Sequence, residues 1–295
     1  MTATALGLVL LAAGCHAAWN LLAKRVGGGP AFAWVFTSMS TVLYAPLGVA
    51  ALLIARPALT GEAWLFIAGN GVLHVAYLVA LLRGYRSGDL SVVYPVARGT
   101  GPLLAAIVAI ILLGERPTPV AFAGIALIGI GVFSLAGEDG SGGGDRVVGS
   151  RGRGASRAGV AWGLATGAII AAYTVWDKHA VAALALPALF YDWAGGAVRT
   201  LALLPIVARD REGVRSAWRD HRREALAIAL LSPLAYVLVL TALASSPVSY
   251  VAPAREVSIL IGAMLGARLL GEGEIRRRLP AAAAIVAGVV ALAIA

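Results

Sequence analysis

The sequence has unusually few charged residues. Asp, Glu, Lys and Arg make up 13% of its 295 residues, whereas 60% are hydrophobic and the mean hydropathy is +0.85. A soluble domain carries roughly 25% charged residues, because water must solvate its surface. The composition therefore excludes an ordinary soluble domain and predicts a protein whose surface faces lipid.

Other features are scarce or absent. The only cysteine, Cys15, lies inside the first apolar run, so an intramolecular disulfide or a Cys-rich metal cage is excluded. The sequence contains no HExxH, GxSxG or Walker motif, which disfavours an enzyme. The net charge of +9 comes from Lys and Arg in short connections rather than from aromatic-basic strips, so we expect no nucleic-acid partner.

Long apolar runs are abundant. Only helices and closed barrels satisfy their backbone polar groups in lipid, and about 20 residues are needed for a helical span against about 10 for a strand. The runs are of helical length, and the first lacks the basic start of a signal peptide. We predict an all-α membrane protein with ten transmembrane helices near 4–23, 31–54, 63–83, 91–113, 118–136, 158–176, 187–208, 224–243, 248–270 and 279–295.

Two polar stretches interrupt these runs. The Gly- and Arg-rich segment 137–157 predicts a flexible linker between a first five-helix repeat, 1–136, and a second, 158–295. The stretch Arg209–Glu224 carries six arginines and Trp218, a composition that fits a helix at the lipid headgroups and a charged loop equally well.

The basic residues predict an orientation. Connections after the first, third, fifth, seventh and ninth helices hold 18 Lys and Arg residues, and the opposite side holds Arg56, Arg116 and Lys178. The positive-inside rule places the first set in the cytoplasm and both termini outside.

An internal repeat relates the two halves. Ala97-Arg98 to Leu112-Leu113-Gly114-Glu115 recurs as Ala254-Arg255 to Leu269-Leu270-Gly271-Glu272, at a constant offset of 255 − 98 = 157. An odd number of spans per repeat turns the second copy upside down. Inverted repeats of this kind build transporters with a central cavity near the bilayer midplane.

The five-helix unit, the Ala-Arg entry to the fourth helix of each half and the two LLGE ends resemble the EamA-type members of the drug/metabolite transporter superfamily. The resemblance implies a ten-helix carrier of small solutes in a bacterial inner membrane, commonly an amino-acid exporter, with no nucleotide cofactor. The small multidrug relatives of the superfamily carry a glutamate in the first helix, where this chain has His16 and Asn20, which counts against cationic drugs. The alternative class is an intramembrane enzyme acting on a lipid or small molecule.

Polar and aromatic side chains inside the apolar runs are the candidates for substrate binding, because such groups avoid lipid and face cavities or one another. His16, Trp19 and Asn20 share a helix face, as do His74 and Tyr77, and structural hydrogen bonding between helices is the competing interpretation for both sets. The full set of candidates is His16, Trp19, Asn20, His74, Tyr77, Tyr94, Tyr173 and Tyr236.

Four charged residues lie within predicted spans. Arg98 and Arg255 occupy matched positions in the repeat, and either bind an anionic group or act in structure or gating, which we favour. Asp192 and Arg199 lie seven residues apart on one face of the seventh helix, and we expect an ion pair. We name these four as gating or structural charges.

Overall fold

The computed structural model describes residues 1–27, 29–87, 90–139, 152–270 and 275–295, and within them all regular secondary structure is helical. The helices are α1 (Ala3–Val26), α2 (Pro30–Ala55), α3 (Gly61–Ser87), α4 (Leu90–Leu112), α5 (Pro119–Asp139), α6 (Gly152–Lys178) with a π-helical turn (His179–Ala183), α7 (Ala188–Val207), α8 (Arg211–Ser245), α9 (Val248–Ala254), α10 (Val257–Leu270) and α11 (Ile275–Ile294). Counting α6 with its π turn and α9 with α10, these make ten helical segments. The predicted all-α fold is confirmed.

Among the residues that the structure describes, five helices are long and apolar enough to cross a membrane: α1, α2, α3, α8 and the segment Arg157–Ala183. Shorter apolar helices cover Val96–Leu112, Pro119–Ser134 and Leu279–Ile294. Large apolar side chains lie on the surface, among them Val42, Ile54 and Ile111, which are 73%, 83% and 72% exposed. Because such a surface is costly in water, it identifies a multi-pass membrane protein.

Helix α5 extends to Asp139 and α6 begins at Gly152, so helical residues occupy both ends of the segment 137–157 that is predicted as a linker. The middle of the predicted linker lies outside the described residues. The charged-loop interpretation of Arg209–Glu224 is wrong, since α8 begins at Arg211 and is irregular only at His221. In this exposed part of α8, hydrogen bonds from Arg219 and Ser216 lower the pKa of Asp220.

The predicted ninth helix, 248–270, is not continuous. α9 ends at Ala254 and α10 begins at Val257, with a turn at Arg255 and Glu256. Hydrogen bonds between residues three apart, rather than the four of an α-helix, bridge the break. The Glu256 amide donates to the Pro253 carbonyl at 3.0 Å, and the Ser258 amide donates to the Arg255 carbonyl at 3.1 Å. The corresponding part of α4 stays helical through Arg98. The repeat therefore predicts the positions of these helices but not the break.

The chain forms two compact units, and each takes segments from both sequence halves. The first unit comprises residues 1–6, 76–175 and 246–295. In it α5 packs closely on α11, because a Cβ added at Gly124 would lie 2.8 Å from the Gly288 carbonyl oxygen and one at Gly131 would lie 2.7 Å from that of Ala281. Small residues of this kind let membrane helices approach closely.

The second unit comprises residues 7–75 and 176–245, with α2 packed on α7 and α8. Indole groups join these helices: Trp34 donates to the Thr200 carbonyl at 3.1 Å and Trp193 to that of Thr41 at 2.9 Å. Gly48 allows α2 to approach the Trp193 ring, which lies 2.6 Å from the position of an added Cβ. This packing holds α7 and α8, which contribute two tyrosines to the site described next.

Candidate functional site

The second unit contains a buried carboxylate surrounded by hydrogen-bond donors. Asp177 lies in the last turn of α6 and is 0% exposed. Its Oδ1 accepts from the Asn70 amide at 2.9 Å and from the Tyr191 hydroxyl at 2.6 Å, and its Oδ2 accepts a short hydrogen bond from the Tyr236 hydroxyl. We call Asn70, Asp177, Tyr191 and Tyr236 the Asp177 cluster; it joins α3, α6, α7 and α8.

The donors of the Asp177 cluster carry no charge. An ionised carboxylate is expensive to bury, and proteins usually compensate it with a positive partner. Among the ion pairs of the described residues, none includes Asp177. The adjacent Lys178 ammonium donates to the Leu243 carbonyl at 2.6 Å. Neutral hydrogen bonds are therefore the main compensation for a charge on Asp177.

A glycine lets α3 approach α7 at this point. A Cβ added at Gly195 would overlap the Asn70 side-chain oxygen, whereas one at the neighbouring Gly196 would lie 3.5 Å from its nearest atom, Nη2 of Arg199. Any larger residue at position 195 would therefore push Asn70 away from its present place. The Asn70–Asp177 hydrogen bond depends on this small residue.

His74 extends the cluster toward its less buried side. The His74 ring lies edge-on to Tyr236 with centroids 5.2 Å apart. Its Nδ1 is 2.8 Å from the Asn70 carbonyl oxygen. Because a carbonyl only accepts, this contact requires the proton of the neutral ring to lie on Nδ1. Both His74 and Tyr236 are half-buried. Through the Tyr236 hydroxyl and its ring contact with His74, the fully buried Asp177 is linked to two predicted substrate-binding residues.

Aromatic rings cover the end of α6. Phe66 stacks on Trp176 and His179 with centroid distances of 4.2 and 4.7 Å, and its carbonyl accepts from the Trp176 indole at 2.9 Å. The Tyr191 hydroxyl lies 3.3 Å from the same carbonyl. These contacts fix the position of α6 at Asp177.

The other predicted substrate-binding residues form two groups. In the second unit, the His16 and Trp19 rings lie edge-on at 4.9 Å, and the Asn20 amide donates to the His16 carbonyl at 2.7 Å. In the first unit, Tyr77 and Tyr173 lie edge-on at 6.1 Å. The side chain of Tyr94, the remaining candidate, lies outside the described residues.

The predicted gating or structural charges lie in two places. In the first unit Arg98 contacts Glu256 at 3.3 Å and donates to the Ser258 hydroxyl at 3.3 Å, at the break between α9 and α10. Arg98, Arg255 and Glu256 are 5%, 6% and 1% exposed. In the second unit Arg199 donates to Asp192 at 2.8 Å, the pair that the spacing indicates.

Glu115, the last residue of the first LLGE motif, contacts another helix. Gly114 adopts a left-handed φ of 67°, and the Glu115 carboxylate then accepts from the Val248 amide at 2.7 Å and from the Ser249 amide at 2.9 Å. These are free amides of the first turn of α9, where a negative charge is favourable. Its repeat counterpart, Glu272, lies outside the described residues.

Sequence reasoning missed Asp177, Tyr191 and Glu256 as site residues. The predicted sixth helix stops at residue 176, which leaves Asp177 in a connection, whereas the helix continues to Lys178 and then into the π turn. One signal was available: Asp177 is the only acidic residue between Arg157 and Asp192, and apolar segments lie on both sides of it. Within the described residues, no group of three His, Cys, Asp or Glu side chains could hold a metal.

Comparisons with known proteins agree with this architecture. A solved structure titled only "Crystal structure of protein" superposes with a TM-score of 0.76 at 19% identity, covering 100% of this chain and 98% of the other. A likeness at this identity shows the fold alone. No curated protein matches the sequence. The sequence model of the EamA-like transporter family matches residues 3–137 and again 157–294. Since two matches cover nearly the whole chain, it belongs to the EamA-like transporters of the drug/metabolite transporter superfamily.

Proposed function

We propose that this transporter exports amino acids, or similar small polar metabolites, from the cytoplasm of a bacterium by alternating access. The observation that carries the proposal is the character of the predicted substrate-binding residues. They are aromatic rings, imidazoles and an amide, with no Lys, Arg, Asp or Glu among them. Such groups can exchange hydrogen bonds with a neutral or zwitterionic solute, and no carboxylate among them would pair with a cation.

The placement of these side chains supports the proposal. His16, Trp19, Asn20, His74, Tyr77 and Tyr236 lie on apolar helices and are all half-buried. Polar groups inside membrane helices commonly mark a solute pathway. The basic residues support an orientation within the inner membrane that we propose as the location. By the positive-inside rule, the 18-to-3 bias favours both termini on the outer side.

The test is a transport screen with the purified full chain in liposomes. Vesicles are loaded with a mixture of the common L-amino acids, and the solution outside is analysed by mass spectrometry. We expect a subset of amino acids to leave chemically unchanged. Chemical conversion of the solutes would indicate an enzyme instead, and no flux of any amino acid would overturn the proposed substrate class.

Substitutions then test the binding residues. Alanine at His16, Asn20, Tyr77 or Tyr236 should each reduce flux without reducing membrane insertion. Trp19→Ala has a matched control in Trp64→Ala, because Trp64 is 52% exposed on the apolar surface at the start of α3. If the alanine variants at all four positions transport like the unmodified protein, the assignment of the substrate-binding residues is wrong.

A further inference from the structure

The Asp177 cluster raises a question that the proposed function does not answer: what compensates a carboxylate buried in a membrane helix that has no ion-pair partner among the residues the structure describes. Three buried acids can be compared. Glu256 contacts Arg98 at 3.3 Å and Asp192 contacts Arg199 at 2.8 Å. Asp177 alone depends on neutral donors. A mobile positive charge, either a proton or a metal cation, would supply the missing compensation.

The geometry favours the proton. A metal cation needs several oxygen ligands with their lone pairs directed at it. Around Asp177 the neighbouring groups instead direct hydrogens at the carboxylate, because Asn70 uses its amide nitrogen and both tyrosines donate. Proton binding needs no additional ligand and no cavity.

We propose that Asp177 is the proton-binding site of this transporter and that Tyr236 couples its protonation to the substrate-binding residues. Binding adds one proton to Oδ2, forms one O–H bond and moves no electrons. The neutral carboxyl then donates to the Tyr236 oxygen, so the direction of that hydrogen bond reverses. The Tyr236 hydroxyl then rotates so that its hydrogen points away from Asp177. The ring of His74 lies beside the ring of Tyr236.

The surrounding titratable groups are consistent with this role. Helix α3 contributes His74, α8 contributes Tyr236, and α7 contributes Tyr191 and the Asp192–Arg199 pair. On α6 and its π turn, the Lys178 ammonium donates to a backbone carbonyl and His179 lies 3.4 Å from Glu62. The Arg199 guanidinium also acts electrostatically on Asp177, but its ion pair is with Asp192.

The first experiment measures proton binding without any transported solute. Infrared difference spectra of the purified full chain are recorded while the pH is stepped through the neutral range. We expect a protonated-carboxyl C=O band in the unmodified protein that is lost in Asp177→Asn, shifted in Asp177→Glu and retained in Asp192→Asn. Tyr236→Phe should shift the band because it removes one hydrogen bond. An unchanged band in Asp177→Asn would overturn the proposal.

The second experiment measures coupling, and it rests on the proposed function because it uses an amino acid found in the transport screen. In Asp177→Asn we expect the acceleration of that amino acid's flux by a proton gradient to be lost, so that the flux is the same with and without the gradient. Acceleration that persists in this variant overturns the proton site, as does a sodium gradient that replaces the proton gradient in the unmodified protein. If no amino acid moves at all, the substrate proposal fails, and the infrared result still decides the proton site.

Discussion

Two buried acids, one in each compact unit, differ in how their charge is compensated. Glu256 lies at the break between α9 and α10 and contacts the Arg98 guanidinium. Asp177 lies at the end of α6 and accepts from an amide and two hydroxyls. A charge paired with a fixed charge is suited to holding structure, whereas a charge held by neutral donors can be removed by a proton while hydrogen bonds remain. We therefore expect a structural role for Glu256, in contrast to the proton-binding role that we propose for Asp177.

The two halves of the sequence differ at the position of Glu256. At an offset of 157, Arg255 matches Arg98, but Glu256 matches Gly99, so the second half carries an acid that the first half lacks. Both members of the Arg98–Glu256 pair are nearly inaccessible. The two halves are thus related in sequence but not equivalent in charge at this position.

Breaking the ion pair should have the largest effect. Arg98→Ala leaves Glu256 buried without this guanidinium, and loss of one partner of a buried pair costs about 3–5 kcal/mol. We expect a large fall in melting temperature, which is measured by the fluorescence of the purified protein in detergent. The double variant Arg98→Ala, Glu256→Gln should recover part of the loss, and a double variant less stable than the single one would argue against the structural role.

Removing the Asp177 side chain should be less costly than breaking the ion pair, because hydroxyls can reorient. Asp177→Ala leaves the donors of Asn70, Tyr191 and Tyr236 without their acceptor, and we expect it to be less stable than Asp177→Asn by about 2 kcal/mol. Thermal melting of the two variants side by side measures this difference. Equal stability would show that the hydrogen bonds to Asp177 contribute little.

A backbone substitution tests the same cluster indirectly. Gly195→Ala should displace Asn70 and destabilise the protein by about 1.5 kcal/mol, as expected for overpacking in a close helix contact. Gly196→Ala is the matched control, since its added Cβ would make only ordinary contacts. The infrared band of Asp177 should shift in the first variant and stay in place in the second, and the opposite pattern would contradict the packing argument.

The smallest effect is expected at Glu115, which lies in the first unit and binds the amides at the start of α9. Glu115→Gln keeps one acceptor for the amides of α9 but removes the negative charge at its first turn, which costs about 0.5–1 kcal/mol. The expected result is a small fall in melting temperature, and this fall should be smaller at high salt because salt screens the charge. A salt-independent loss would indicate a steric cause instead.

Several features of the protein could be predicted from local sequence. The run lengths predict ten helical segments, and the family resemblance on the Ala-Arg and LLGE motifs is confirmed by matches over both halves. The spacing of Asp192 and Arg199 suffices to indicate their contact, because both lie on one helix. The predicted substrate-binding residues remain predictions.

The partners of buried groups were not predictable in this way. Asn70, Asp177, Tyr191 and Tyr236 come from four helices, and no pattern within one helix shows that they meet. The break at Arg255 and Glu256 was also missed, because the matched segment of the other half stays helical.

The sequence alone determined that this chain lies in a membrane, that it is helical and that its halves are related, because these properties follow from apolar run length and from motif spacing. Only the tertiary structure decided which buried acid receives a guanidinium and which receives hydroxyls. Such pairings depend on the approach of helices distant in sequence, which glycines such as Gly195 permit. In lipid the compensation of a charge depends on its immediate neighbours, since no water is present to supply it.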